Sequence, residues 1–312
     1  MHDRPVLIIQ HQAIGEPGTI LETLSAEGVP FDLRRLHRGA DLPAPAELAG
    51  YSALIVLGGS MNTDQASLHP FLPRERRLQA AALEQDVPQL GICLGAQQLA
   101  NVRGGRVFDR EEPAVGWMAM RLVGRDLLFE GTPREFRALE WHAQSFTVPV
   151  RSWQVALRDG DVGVQAFRAG PRAWGLQFHP EIDEAMFDAW LELDNKGTRR
   201  RDPDILERLA WEKEEILADS RALCGRLVRN LLRAARGLGA ADRAEAACGR
   251  RSPARPEASR PVRLGRGEGC ATRGVCLLWC ETVEFICFLT QGRHGVEHVT
   301  GSQARQGGGE RP

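Results

Sequence analysis

The stretch Leu90-Gly91-Ile92-Cys93-Leu94-Gly95-Ala96-Gln97-Gln98-Leu99-Ala100 constrains the fold more than any other part of the chain. A short apolar run enters Gly91, a cysteine stands between two glycines, and helix formers follow. This is the thiol counterpart of the Gly-x-Ser-x-Gly nucleophile elbow, where the nucleophile sits on a tight strand-to-helix turn. A Cβ at either flanking position would collide with the neighbouring strand or helix, which accounts for both glycines. The first helical turn leaves N–H groups unpaired beneath the sulfur and favours negative charge there. A buried structural cysteine is the plain alternative. The glycine bracket, the strand before and the helix after favour a nucleophile.

Around that elbow the chain alternates strands and helices. Val6-Leu7-Ile8-Ile9-Gln10 and Ala53-Leu54-Ile55-Val56-Leu57 are short apolar runs of the kind buried in parallel sheets, the second ending in Gly58-Gly59-Ser60. Helical patterns fall at 20–24 and at 74–85, and Phe31-Asp32-Leu33 begins another strand. The order implies βαβ units and a parallel sheet covered on both faces. From Gly104-Gly105 onward the texture changes to shorter strands, at 118–123, 136–141, 154–157, 163–168 and 173–178. An amphipathic helix follows at 184–193, with Phe187, Trp190 and Leu191 on its apolar side. Asp202-Pro203 offers an N-cap with proline at the first helical position, and apolar residues recur at helical spacing to Arg236. The expected division is therefore a domain over 1–236 (core 5–193, helical extension 202–236) and a tail over 237–312. The tail is rich in Arg, Gly, Ala, Pro and Ser and reads as low-complexity and disordered, with no function assigned.

Composition narrows the function classes. A formal net charge of −1 gives no electrostatic reason for nucleic acid or an anionic membrane as partner. The N-terminus lacks a charged segment followed by an apolar one, and no run approaches the roughly 18 uncharged apolar residues of a membrane span. Of seven cysteines only Cys93 lies in the first two hundred residues, so a disulfide framework there is not expected and a cytoplasmic location is. The cysteines at 270, 276, 280 and 287 do not match zinc-site spacing, and no metal or cofactor is called for.

A cysteine nucleophile needs a base and a group to orient that base. His179 follows the apolar run 174–178, at the strand end where α/β sheets carry their chemistry. Residues i and i+2 of an extended chain share a side, so Glu181 can reach the imidazole while Pro180 stiffens the link. Backbone N–H groups of Leu94 and of the Gly58-Gly59 turn are candidates for stabilising the developing oxyanion.

Together, Gly58-Gly59, Gly91-Ile92-Cys93-Leu94-Gly95-Ala96-Gln97, Gly104-Gly105 and Gly175-Leu176-Gln177-Phe178-His179-Pro180-Glu181 resemble the class I (triad) glutamine amidotransferase family. The resemblance covers about residues 5 to 193, is strongest to stand-alone domains similar to the glutaminase half of GMP synthase, and implies a doubly wound, mostly parallel α/β sheet with flanking helices, flavodoxin-like in class. It implies hydrolysis of the glutamine side-chain amide through a γ-glutamyl thioester on Cys93, with His179 and Glu181 completing the catalytic set and Gly59 and Leu94 the oxyanion hole. It further implies substrate binding by Gly58, Gln97, His142, Ala143 and Gln144, although family members often carry glycine and aspartate where this chain has Ala143 and Gln144. Three functions stand at this point. One is a glutaminase feeding a separate synthetase subunit; another is a stand-alone γ-glutamyl peptidase or hydrolase. The third, a non-catalytic thiol sensor, has no need of His179 with Glu181.

Overall fold

The computed structural model describes residues 4–160, 163–193 and 202–237. The expected tail therefore lies, from residue 238 on, outside the described residues, as do its cysteines.

Strands β1 (Val6–Gln10), β2 (Phe31–Arg35), β3 (Ala53–Val56), β4 (Gln89–Ile92) and β9 (Ala173–Leu176) run parallel in the order β2-β1-β3-β4-β9. The sheet continues antiparallel through β8 (Ala166–Arg168), β7 (Trp153–Leu157), β5 (Val107–Leu122) and β6 (Glu135–Phe146), giving nine strands. Helices α1 (Thr19–Ala26), α2 (Phe71–Glu84), α3 (Leu94–Val102), α4 (Glu184–Leu193), α5 (Ile205–Trp211) and α6 (Lys213–Ala235) accompany it.

Alternate residues of a strand face opposite sides of the sheet, so β1 and β3, covered on both sides, are almost wholly apolar, whereas β2 at the sheet edge carries Asp32, Arg34 and Arg35. Val6, Ile8, Ala53, Ile55, Leu90 and Ile92 pack with Ile20 and Leu24 of α1 and with Leu227, Val228 and Leu231 of α6. The intervening Leu7, Ile9, Leu54 and Val56 pack on the other face, with Leu78, Ala81 and Ala82 of α2. Both faces are thus covered, and the expected doubly wound core is present. On the antiparallel side, Val115, Trp117, Leu139 and Trp141 pack with Met186, Phe187 and Trp190 of α4 and with Leu206 and Leu209 of α5.

Three boundaries differ from the sequence reading. Helix α2 begins at Phe71, ahead of Pro73, because a proline in the first turn gives up an N–H that has no helical partner anyway. Strands β5 and β6 are longer than the runs at 118–123 and 136–141, and their ladder shifts register between Asp109 and Ala114. Arg110-Glu111-Glu112-Pro113 interrupts the apolar pattern at that irregularity, which hides the strand's continuity. Helix α5 starts at Ile205 with Asp204 at its N-cap, so Pro203 is not its first residue. Asp202 still serves the helix start, its carboxylate accepting from the Asp204 N–H at 3.2 Å.

Candidate active site

Four neighbouring parallel strands deliver the site. Chain leaving β1 carries His11, β3 leads to Gly58-Gly59, β4 to Cys93, and β9 to His179 and Glu181. Since β1, β3, β4 and β9 are adjacent and parallel, their C-terminal ends converge on one edge of the sheet.

Cys93 occupies the turn into α3 with φ 49° and ψ −105°, a left-handed conformation rarely adopted by a residue with a side chain. Strain of about 1–3 kcal/mol is usual for such a residue and persists only when the surroundings enforce it. Here they do. The Cys93 N–H donates to the Leu176 carbonyl at 2.7 Å, and the Gly95 N–H donates to the Leu57 carbonyl at 3.2 Å. A Cβ on Gly91 would lie 2.5 Å from the Gly95 carbonyl carbon, and one on Gly95 2.2 Å from the Val56 oxygen. The glycine bracket is therefore a packing requirement, as the spacing implies.

The imidazole of His179 lies between a carboxylate and the thiol. Its Nδ1 is 2.8 Å from Glu181 Oε1, and the Cys93 side chain is near enough to the ring to act on its charge. Burial by itself pushes this imidazole towards its neutral form. The Glu181 carboxylate and Cys93 outweigh burial and raise its pKa to about 10. The Glu181 backbone is held as well, since its carbonyl accepts from the Thr19 N–H at 3.0 Å in the first turn of α1. Gly18 makes that approach feasible, because a Cβ there would sit 2.1 Å from the same oxygen. On the other side, the His179 N–H donates to the Leu139 carbonyl at 2.9 Å, tying β9's extension to β6.

Gly58 and Gly59 allow a close approach to the reacting side chains and to Leu94. A Cβ on Gly58 would meet His179 Cε1 at 2.9 Å and Cys93 Cβ at 3.4 Å, and one on Gly59 would meet Leu94 Cδ2 at 2.9 Å. A cleft opens at this point, lined by Cys93, His179, Glu181, the Gly58-Gly59-Ser60 turn, Gln12, Ile14, Gly15, Trp141 and Trp190.

Gln97, His142, Ala143 and Gln144 do not line that cleft. Gln97 Nε2 donates to the Gln144 carbonyl at 3.1 Å and to Gln177 Oε1 at 3.3 Å. His142 Nδ1 meets the same Gln144 carbonyl at 2.8 Å. The Gln144 side chain accepts from the Thr63 N–H at 3.2 Å and donates to Asp109 Oδ1 at 2.8 Å. Gln97, His142, Gln144 and Gln177 thus form a buried hydrogen-bonded cluster.

Residues that motif reading passes over also shape the cleft. Trp190 reads as an apolar residue of a packing helix, yet its ring meets His179 edge-on at 4.7 Å while Nε1 donates to the Ile14 carbonyl at 2.8 Å. His11, buried just beyond β1, is the other; its position at a parallel strand's C-terminal end is the one signal in the sequence. Among the described residues no group of three His, Cys, Asp or Glu is placed to hold a metal ion, and no helix is long and apolar enough to cross a membrane.

The model of the family called glutamine amidotransferase class-I matches residues 19–192. The chain belongs to this family. Among curated relatives, GMP synthase of Aeropyrum pernix is 27% identical over 226 residues, 68% of this chain and 43% of the relative. A glutamine-hydrolysing GMP synthase subunit from Methanothrix thermoacetophila is 28% identical over 45% of this chain and 75% of its own length. Its counterpart from Sulfolobus acidocaldarius is 33% identical over 31% of this chain and 52% of its own. The chain thus spans only about half the length of some curated relatives it matches. Among solved structures, a glutamine amidotransferase from Thermotoga maritima superposes with TM-score 0.65 at 30% identity, covering 74% of this chain and 99% of the other. A second, from Methylobacillus flagellatus, gives the same TM-score at 28% identity, covering 74% of this chain and 95% of its own. The family, and the likeness to the glutamine-hydrolysing subunits of GMP synthase, agree with the motifs of the sequence.

Proposed function

We propose that this amidotransferase hydrolyses the side-chain amide of glutamine through a γ-glutamyl thioester on Cys93. The observation that carries the reading is the set Cys93, His179 and Glu181, buried at the ends of adjacent parallel strands, with His179 hydrogen-bonded to Glu181 and its charge favoured by Cys93. The Cys93 sulfur attacks the amide carbon, and the charge developing on its oxygen is met by the backbone N–H groups of Gly59 and Leu94. As the tetrahedral species collapses, the C–N bond breaks and the imidazolium of His179 gives its proton to the leaving ammonia. The neutral ring then takes a proton from water as that water attacks the thioester, releasing glutamate and restoring the thiolate–imidazolium pair. Glu181 holds the ring orientation and stabilises the imidazolium. Of the residues expected to bind substrate, Gly58 lines the cleft beside Cys93, while Gln97, His142, Ala143 and Gln144 lie outside its lining.

In this reading the ammonia passes to an acceptor on a separate synthetase, an arrangement supported by the relatives whose names mark them as GMP synthase subunits. A stand-alone γ-glutamyl hydrolase is the second reading, favoured by the apolar wall of Ile14, Trp141 and Trp190, which suits a leaving amine larger than ammonia. One assay separates them. The full chain is incubated with L-glutamine or with γ-glutamyl peptides, and released ammonia or amine is measured. Glutamine turnover is expected, with a loss of about 10³-fold or more in Cys93→Ala. Turnover surviving that substitution contradicts the mechanism, and turnover restricted to γ-glutamyl peptides selects the second reading.

A further inference from the structure

A second histidine stands one strand away from the Gly58-Gly59 turn. His11 is 2% exposed, stacks on Phe71 at 5.6 Å, and has both ring nitrogens engaged. Nδ1 is 3.0 Å from the Gly58 carbonyl oxygen, and Nε2 is 2.5 Å from Glu75 Oε2 on α2. Both His11 and Glu75 side chains are shielded completely from solvent.

The proton placement follows from the partners. A carbonyl oxygen can only accept, so the contact with Gly58 requires a proton on Nδ1. The contact with Glu75 also requires one proton, carried either by Nε2 or by the carboxyl group. Wherever that second proton rests, Nδ1–H is a donor and the Gly58 carbonyl is its acceptor. Burial disfavours the charged ring, but Glu75 and the Gly58 carbonyl more than offset it, so His11 gains protons relative to a free histidine.

The Gly58 carbonyl and the Gly59 N–H belong to one peptide unit. In a trans peptide the two groups point in opposite directions. Anchoring the carbonyl on His11, which does not line the cleft, turns the Gly59 N–H the opposite way, and Gly58 itself faces Cys93 and His179. Neither glycine has a side chain to resist rotation of this unit, and glycine backbones populate conformations closed to other residues. The orientation needs an outside anchor. We propose that the buried His11–Glu75 pair is a positioning device for the reaction: it locks the Gly58–Gly59 peptide with its N–H presented to the oxyanion, and Glu75 fixes the ring that does so. This rests on the hydrolytic role of Cys93 proposed above.

Two amide variants divide the histidine's contacts between them. In His11→Asn the side-chain nitrogen falls near the position of Nδ1 and can still donate to Gly58. In His11→Gln it falls near Nε2, toward Glu75, and the Gly58 carbonyl is left unserved. Both variants lose the ring packing on Phe71, and His11→Asn in addition leaves the buried Glu75 carboxyl without its partner, so a purely structural role would not favour His11→Asn over His11→Gln. Crystal structures of the two variants, kcat and KM for glutamine, and the rate of Cys93 alkylation by iodoacetamide are the readouts. The expected result for His11→Gln is a turned Gly58–Gly59 peptide and a fall of about 10²-fold in kcat, as for loss of one oxyanion donor, with KM and the alkylation rate within about threefold. His11→Asn is expected to keep the peptide and at least ten times the kcat of His11→Gln. Equal kcat in the two variants, or a Gly58 carbonyl that keeps its direction in His11→Gln, overturns the proposal. A wild-type protein whose Cys93 is alkylated but which turns over no glutamine counts instead against the hydrolytic reading, and the peptide orientation still decides this one.

Discussion

His179 is the residue on which opposed influences meet. Burial favours its neutral form, whereas Glu181 at 2.8 Å and Cys93 favour the imidazolium, and the balance lies on the side of the charge. A histidine in the unfolded chain loses its proton near pH 6.5, roughly the free value. In the folded chain that loss moves up to about 10. The stabilisation is therefore complete below pH 6.5, approximately the unfolded value, and drains away as pH rises toward the folded one. Glu181→Gln removes the largest influence holding the proton on the ring. Thermal melts between pH 6.5 and 10 should show the wild-type midpoint falling more steeply than that of Glu181→Gln; parallel curves would contradict this assignment. Cys93, His179 and Glu181 are legible in sequence because each signal is local, a glycine bracket in one case and an i, i+2 pair in the other. The His11–Glu75 pair is not, since its members are 64 positions apart and neither sits in a motif.

Among the elements, the β4–Cys93–α3 unit sets the precision of the site. Its glycines mark places where backbone touches backbone, and a carbonyl cannot move aside as a side chain can. Gly95→Ala would place a methyl 2.2 Å from the Val56 oxygen, so a loss of about 1–3 kcal/mol or more is expected, with slower alkylation of Cys93. Gly124→Ala, where nothing lies within 4 Å of the added Cβ, should stay within about 0.5 kcal/mol. Urea unfolding of the two variants measures the contrast, and equal midpoints would mean that the elbow relaxes freely. The parallel strands that carry the site are readable because they are short apolar runs buried on both faces. Strands β5 and β6 are readable only in part, because their register shift lies in a charged, proline-containing stretch whose pairing is set by the partner strand rather than by its own pattern.

Across the molecule, the order β2-β1-β3-β4-β9 brings residues from positions 11 to 181 to one edge of the sheet. Alternating strands and helices predict such a sheet, but strand order depends on long-range pairing that no single stretch encodes. The same convergence separates the two cysteines among the described residues. Cys224, on α6, is buried in the main apolar cluster and burial pushes its thiol up to about 12, which leaves it inert. Cys93 instead lines the cleft beside His179. The most direct test of the account is therefore the intact mass of the full chain after treatment with a diazoketone analogue of glutamine, followed by peptide mapping. The account predicts a single adduct, located on Cys93, slowed by added glutamine and absent from Cys93→Ala. An adduct distributed over other cysteines, or one formed on Cys93 at a rate that glutamine does not change, would contradict it.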